Sequence, residues 1–422
     1  MKILLSASVR RTRRRIASLT PIAIGGYLHR EPHERPRPGA LMNLSRTISI
    51  FGLVALLSWS FGCREEHPLV TSPPTITAQP QGRVVPIGQS WTLSVTATGP
   101  GTLRYQWRRS GTAISGADRA TYIIAPASLS EGGTFDVVVS NEAGSVTSSP
   151  VTVMVVTSQG PWNNGLWIAV SANGKTWATP QPFLGPAGVP SLARADTGRL
   201  IAAFQWFPFD RPEAFDKVAV AFSGDHGATW SAPQPIQVKD MPPGYMRPFD
   251  PTVVITETGL YRLYFTSNTG SGSNNAFYSA VSTDGVSYVW EPGARFAPGR
   301  STVDCAVAHW NGQWHLVSPI GGPDEGSYHA VSIDGLAFVR LADIPSSGGF
   351  NWTGNLVVDG GVMRFFGGGA GGIWFSDTTD GVAWSPPAAV GIQGGDPGVV
   401  QTSTGTWIIV YVGPPTGSMD SR

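Results

Sequence analysis

Between residues 75 and 156 apolar and polar positions alternate in short runs separated by turn residues. Leu93, Val95 and Ala97 fall on one face, and Tyr105-Gln106-Trp107 gives the next run a large apolar anchor. Alternation over four to eight residues is the pattern of a half-buried strand. Beyond residue 160 the runs become almost wholly apolar, as in Leu200 to Phe204, Tyr261 to Phe265 and Trp407 to Tyr411. Each follows a shorter apolar run and a glycine turn, at Gly198, Gly259 and Gly405. Those shorter runs open at Val189-Pro190, Asp250-Pro251 and Asp396-Pro397, with related openings at Asp304-Cys305 and near Thr353-Gly354. Each reads as an inner strand, a turn and a second strand.

A second motif recurs between these pairs. Ser223-Gly224-Asp225-His226-Gly227-Ala228-Thr229-Trp230 is the fullest copy, with variants around Asn173, Asp284, Asp334 and Asp380. The intervals of 52, 59, 50 and 46 residues, with about four short strands in each, are those of β-propeller blades. The units resemble the Asp-box of sialidase-type propellers. Their chemistry is that of a turn: Asp caps backbone N–H groups, Gly takes positive φ and Trp packs between sheets. The resemblance implies that they lie on the side away from the active face and carry no catalysis. Five openings and five boxes interleave, with a box first and an opening last. Residues 163–185 are therefore expected to complete the blade begun at Asp396, joining both ends of a five-bladed propeller over 160–416 in one sheet.

Residues 75–156 resemble the immunoglobulin fold. Trp107 matches the core Trp of that sandwich, and Phe135 to Asn141 matches its "Tyr-x-Cys-x-Val-x-Asn" segment. Val95 and Val137 stand at the positions of the two cysteines, so aliphatic packing replaces the disulfide. The expected class is all-β: an immunoglobulin-like β-sandwich, acting as spacer or adhesive module, followed by the propeller.

At the N-terminus Ile48 to Phe61 is a nearly unbroken apolar run after Arg46, too short to span a bilayer and of signal-peptide length. Ser60-Phe61-Gly62-Cys63 resembles a bacterial lipobox, which implies lipidation at Cys63 and a membrane anchor; an ordinary signal sequence ending there is the alternative. Residues 1–62 are thus leader and signal, 63–74 a linker and 417–422 a tail. Residues 1–41 are a start-site over-extension ahead of Met42 or a long basic leader. They hold nine Lys and Arg against Glu31 and Glu34, leaving 20 basic and 26 acidic residues beyond them. That acidic remainder, with no basic stripe, argues against a nucleic-acid partner. Gly (52) and Pro (35) make up about a fifth of the chain, charged residues are 14% and there are 15 Trp, a composition that excludes coiled coil, helical bundle and disorder. Two cysteines cannot build a disulfide framework.

The five openings line the central cavity, at Val189, Asp250, Asp304, Thr353 and Asp396. Asp is disfavoured in strands and costly to bury, so three in five places point to function. Neighbouring carboxylates raise one another's pKa and can supply an acid and a base. Asp250-Pro251 with Tyr261-Arg262-Leu263-Tyr264 resembles five-bladed glycoside hydrolases of the arabinanase and β-xylosidase type. That likeness implies Asp250 as base and Asp304 as pKa modulator, with no Glu at an opening to serve as acid. Glu325, Glu213 or Asp396 would take its place. Tyr245-Met246-Arg247-Pro248 is similar to the Arg-x-Pro opening of sialidases. Arg247, Tyr245, Trp206, His309, His329 and Trp352 are candidate sugar contacts, Trp206 with Phe207 and Phe209 as a stacking platform. No His cluster has metal spacing, while a Ca²⁺ held by the three Asp is an open alternative. The expectation is an exported, monomeric, carbohydrate-active protein, a glycoside hydrolase of sialidase-like or arabinanase-like type. The alternative is a non-catalytic glycan- or protein-binding surface propeller.

Overall fold

The computed structural model describes residues 71–416, apart from 271 and 347. The leader, the apolar run, Cys63 and the tail lie outside the described residues.

The described chain is all-β. Its first part is a sandwich. Arg83–Pro86 pairs in parallel with Val151–Val156, which continues antiparallel through Gly133–Asn141 to Arg104–Arg109. Trp91–Ser94 with Thr121–Ile124, and Thr75–Ala78 with Thr96–Thr98, form the opposing pairs. Alternation decides which side chains go inward: Phe135, Val137 and Val139 are buried while the residues between them are half-exposed. Val95, Trp107 and Val137 share one core cluster. Each Val contributes about 1.5–3 kcal/mol by burial, and the Trp107 indole N–H donates to the Arg119 carbonyl at 2.9 Å.

Five further sheets follow, here numbered I to V by their first strands. Sheet I holds Ala187–Arg194, Leu200–Trp206, Lys217–Ser223 and Gln234–Pro235. Sheet II holds Phe249–Ile255, Tyr261–Ser267, Ala276–Ser282 and Ser287–Phe296, with Gln237–Lys239 added in parallel at its outer edge. Sheet III holds Ala306–Trp310, Gln313–Pro319, Ser327–Ser332 and Val339–Arg340, and sheet IV Phe350–Asp359, Val362–Gly369, Trp374–Thr378 and Ala388–Ala389. Sheet V joins the two ends of this region: Gly395–Gln401 and Trp407–Gly413 pair with Gly165–Ser171, which carries Gln181–Leu184 at its edge.

The first strand of sheet I packs against the first strands of II and V; III packs against II and IV, and IV against V. The box turns follow the third strands, at the opposite end of each sheet from Asp250, Asp304 and Asp396. In the fullest copy Ser223 Oγ donates to Asp225 Oδ1 at 2.8 Å and accepts from Gly227 N–H at 2.8 Å, while Thr229 N–H donates to Asp225 Oδ1 at 2.9 Å. The box glycines take positive φ and press on the preceding sheet: Gly227 on Ile408, Gly285 on Phe222, Gly335 on Tyr264 and Gly381 on His315.

The sandwich docks on the sheets. Val84 and Val156 pack with Phe207, Phe215, Trp162 and Phe209, and Val84 N–H donates to the Phe209 carbonyl at 2.7 Å. This corrects the expected role of Phe207 and Phe209, which form a domain interface rather than a stacking platform.

Candidate functional site

The first strands of sheets I, II and V open with one repeated irregularity. Gly188 to Ser191 spans three steps against two from Gln205 to Ala203; Phe249 to Thr252 faces Thr266 to Tyr264, and Gly395 to Gly398 faces Val412 to Val410, in the same ratio. One extra residue makes a β-bulge, which bends a strand and re-aims a side chain. The residue re-aimed is Val189, Asp250 or Asp396, at φ of +48°, +48° and +46°. Asp304, just before the first strand of sheet III, adopts +56°. Asp tolerates this left-handed conformation better than most residues, whereas a β-branched Val does not.

Sheet IV departs from the pattern. Asn351 to Gly354 faces only Gly368 to Gly367, and Trp352, in register with Asp250, turns into the core against Phe365 at 4.8 Å and Trp374 at 5.1 Å. Gly354, one residue beyond the expected Thr353, reaches the cavity instead.

Asp250, Asp304 and Asp396 line a single cavity with Val189, Thr252 and Gly354, so all five sheets contribute to it. Its volume is about 10 Å³, room for one water molecule. Asp304 is buried and the other two carboxylates are half-buried. The Thr252 hydroxyl donates to the Cys305 carbonyl, and burial pushes the Cys305 thiol far above its ordinary range, with Asp304 and Asp250 pushing the same way. Cys305 is thus a core residue and no nucleophile. Among the described residues no three His, Cys, Asp or Glu side chains have the arrangement of a metal site.

The other candidates are dispersed. Arg247, just before sheet II, is ion-paired to Asp216, whose Oδ1 also accepts from the Gln205 side chain at 2.8 Å. Tyr245 packs edge-on against Tyr278 at 5.3 Å and Trp290 at 5.2 Å. Trp206 is only 6% exposed and the Arg211 guanidinium lies 4.4 Å above its ring, so no face is open for a sugar. Trp352 is excluded likewise, by its aromatic cage. His309 pairs in register with Trp314 and contacts Glu257 at 3.1 Å, at the box-turn end of its sheet. His329 is buried 3.1 Å from His315 Nδ1, and loss of hydration lowers its pKa to about 4. These four assignments as sugar contacts are corrected on burial or position. Glu325 is bridged by Arg300, which holds its carboxyl below the usual range, the opposite of what a general acid needs. Sequence reasoning misses Thr252 and the Gln205–Asp216 pair, which no motif marks.

Residues 73–141 match the family model of an immunoglobulin domain. The chain therefore contains an immunoglobulin-like domain there. No curated protein matches the chain. Similar solved structures include titin domain M7, 25% identical over 20% of this chain and 94% of that one, with a TM-score of 0.18. The tandem Ig repeats of Dlar are 21% identical over 20% and 48%, with a TM-score of 0.19. A twitchin kinase fragment from C. elegans is 18% identical over 21% and 22%, with a TM-score of 0.19.

Proposed function

We propose that sheets I to V are the blades of a five-bladed β-propeller and that the chain is an exported glycoside hydrolase acting at its Asp face. Support for the blades comes from the cyclic order of first-strand packing and from the Trp177–Phe366 contact at 6.3 Å, which takes sheet V onto sheet IV as each other box region is taken onto its predecessor. The observation that carries the activity is the convergence of Asp250, Asp304 and Asp396, from three different sheets, on one cavity. Holding each in a left-handed conformation costs on the order of 1–3 kcal/mol, an expense typical of functional sites. In this reading the water-sized cavity is the floor of the site and the sugar lies across its mouth. Asp250 is the base and Asp304 the pKa modulator. The export reading rests on the apolar run Ile48 to Phe61 with Cys63 behind it, and the anchored form would be a surface lipoprotein.

A second reading, glycan or protein recognition without catalysis, is favoured by the engagement of Glu325 with Arg300. The experiment that separates the two is a screen of the full-length chain and its Asp250→Asn variant on aryl glycosides and on plant, algal and sialylated glycans. Sugar release that disappears in the variant establishes the hydrolase. Binding without release in both retires the acid–base roles, and neither binding nor release retires the glycan altogether.

A further inference from the structure

Between the outer strands of sheets II and III lies a cleft of about 420 Å³, within the range of small-molecule sites. Phe296, Ala297 and Pro298 form one wall, Ala337 and Phe338 the other, and Phe338 N–H donates to the Arg295 carbonyl at 3.2 Å across the base. Arg295 also lines the cleft, although it is only 4% exposed. Its Nη2 donates to the carbonyls of Glu291, Pro292 and Gly293, and its Nε is buried without a hydrogen-bond partner.

Among the described residues no carboxylate is hydrogen-bonded to Arg295. The Glu291 side chain is taken at 2.9 Å by Arg262 through one oxygen and at 2.6 Å by Ser279 through the other. Arg340, the other cation of the cleft, is bound through two nitrogens to Asp343. Glu291 and Asp334 act on Arg295 only through space, so the most buried of the three guanidinium groups is the one with no carboxylate bonded to it among the described residues. A buried donor with no hydrogen-bond partner is costly, and an anion placed beside the Arg295 guanidinium would satisfy it. Burial pulls the Arg295 pKa below its ordinary value, against the opposing pull of Glu291, Tyr264 and Asp334.

We infer that this cleft is a binding site for a small carboxylate with an apolar body, the carboxylate facing Arg295 and the body lying between Phe296 and Phe338. The site is independent of the Asp face and of the glycan reading. Benzoate is a suitable probe because benzamide matches its shape without its charge. Thermal unfolding of the full-length chain should show a saturable rise in Tm with benzoate and none with benzamide. Ala337→Trp, which fills the cleft from an exposed position without touching the Arg295 carbonyl contacts, should weaken the benzoate effect at least tenfold, as should Arg295→Met. If Arg295→Met does not fold, Ala337→Trp decides. No rise with benzoate overturns the inference, as does an equal rise with benzamide, an equal rise with chloride at matched ionic strength, or full benzoate response in Ala337→Trp.

Discussion

At the scale of single residues, the box turns separate geometry from charge. Asp284 Oδ1 accepts from the N–H groups of Val286 and Ser287 at 2.7 and 2.8 Å, which lowers its pKa from 3.8 to about 2. In sheet V a neutral Asn173 makes the same pair of bonds, to Lys175 and Thr176 at 2.9 Å. The amide suffices for the turn; the carboxylate adds a pH dependence. Because the folded pKa is depressed, that contribution is present above about pH 4 and lost as pH falls towards 2. Asp284→Asn should therefore keep the fold at pH 7 and flatten the fall of Tm between pH 4 and 2. An acid limb identical to the parent's would refute this. The buried His315–His329 pair titrates the other way in charge but with the same sign in stability. Loss of hydration disfavours both imidazolium forms, so stability is present above pH 6.5 and lost as pH falls through about 4. Up to about 3 kcal/mol should be lost over that span through His329. His329→Leu, measured by denaturant unfolding at pH 7 and pH 4.5, should remove most of the difference.

At the scale of elements, the bulged openings show what a sequence discloses and what it hides. The openings at Asp250-Pro251, Asp304-Cys305 and Asp396-Pro397, with their similar intervals to the following glycine turn, are visible as repeats, and the three Asp are legible as equivalent. The extra residue that re-aims Asp250 and Asp396 is a matter of register between two strands, which no single run encodes. The same reason explains Trp352. Its strand gains two residues where those of sheets I, II and V gain one, and the side chain swings from cavity to core. Trp206 is buried by Arg211, a neighbour brought round by the next loop. His309 could have been placed from sequence alone. It lies five residues beyond Asp304, roughly 16 Å along an extended strand at about 3.3 Å per residue, and so belongs to the far end. The bulge also makes a stability prediction. Val189 holds the conformation of Asp250 with none of the short polar contacts that ease it for Asp or Asn. Val189→Asn should stabilise the fold by about 1 kcal/mol, read as a higher denaturant midpoint at unchanged slope. A lower midpoint would mean that packing at the cavity rim outweighs backbone strain.

At the scale of the whole molecule, the question is whether sandwich and sheets act as one body. The sequence reads residues 75–156 as a spacer or adhesive module, and a spacer requires a boundary that few contacts cross. The boundary here is apolar and aromatic. Phe215 lies 5.7 Å from Trp162, 5.6 Å from Phe207 and 5.7 Å from Phe209, and the cluster closes on Val84 and Val156 of the sandwich. Phe207, Phe209 and Phe215 follow the strand Leu200–Trp206 at the end of sheet I that carries the bulge, so the sandwich is anchored at the Asp end rather than beside the box turns. Removing a buried Phe ring costs about 3–5 kcal/mol, and most of that loss would fall on the coupling between the two parts. The parent should accordingly unfold in one calorimetric transition. Phe215→Ala should split it into two, with the sandwich melting on its own, and should expose enough apolar surface to bind a hydrophobic dye. If the parent already melts in two steps and Phe215→Ala moves only the step belonging to the sheets, the sandwich hangs free and the contact does not couple the domains. If one step becomes two, any ligand at the Asp face meets a rim whose position the sandwich fixes.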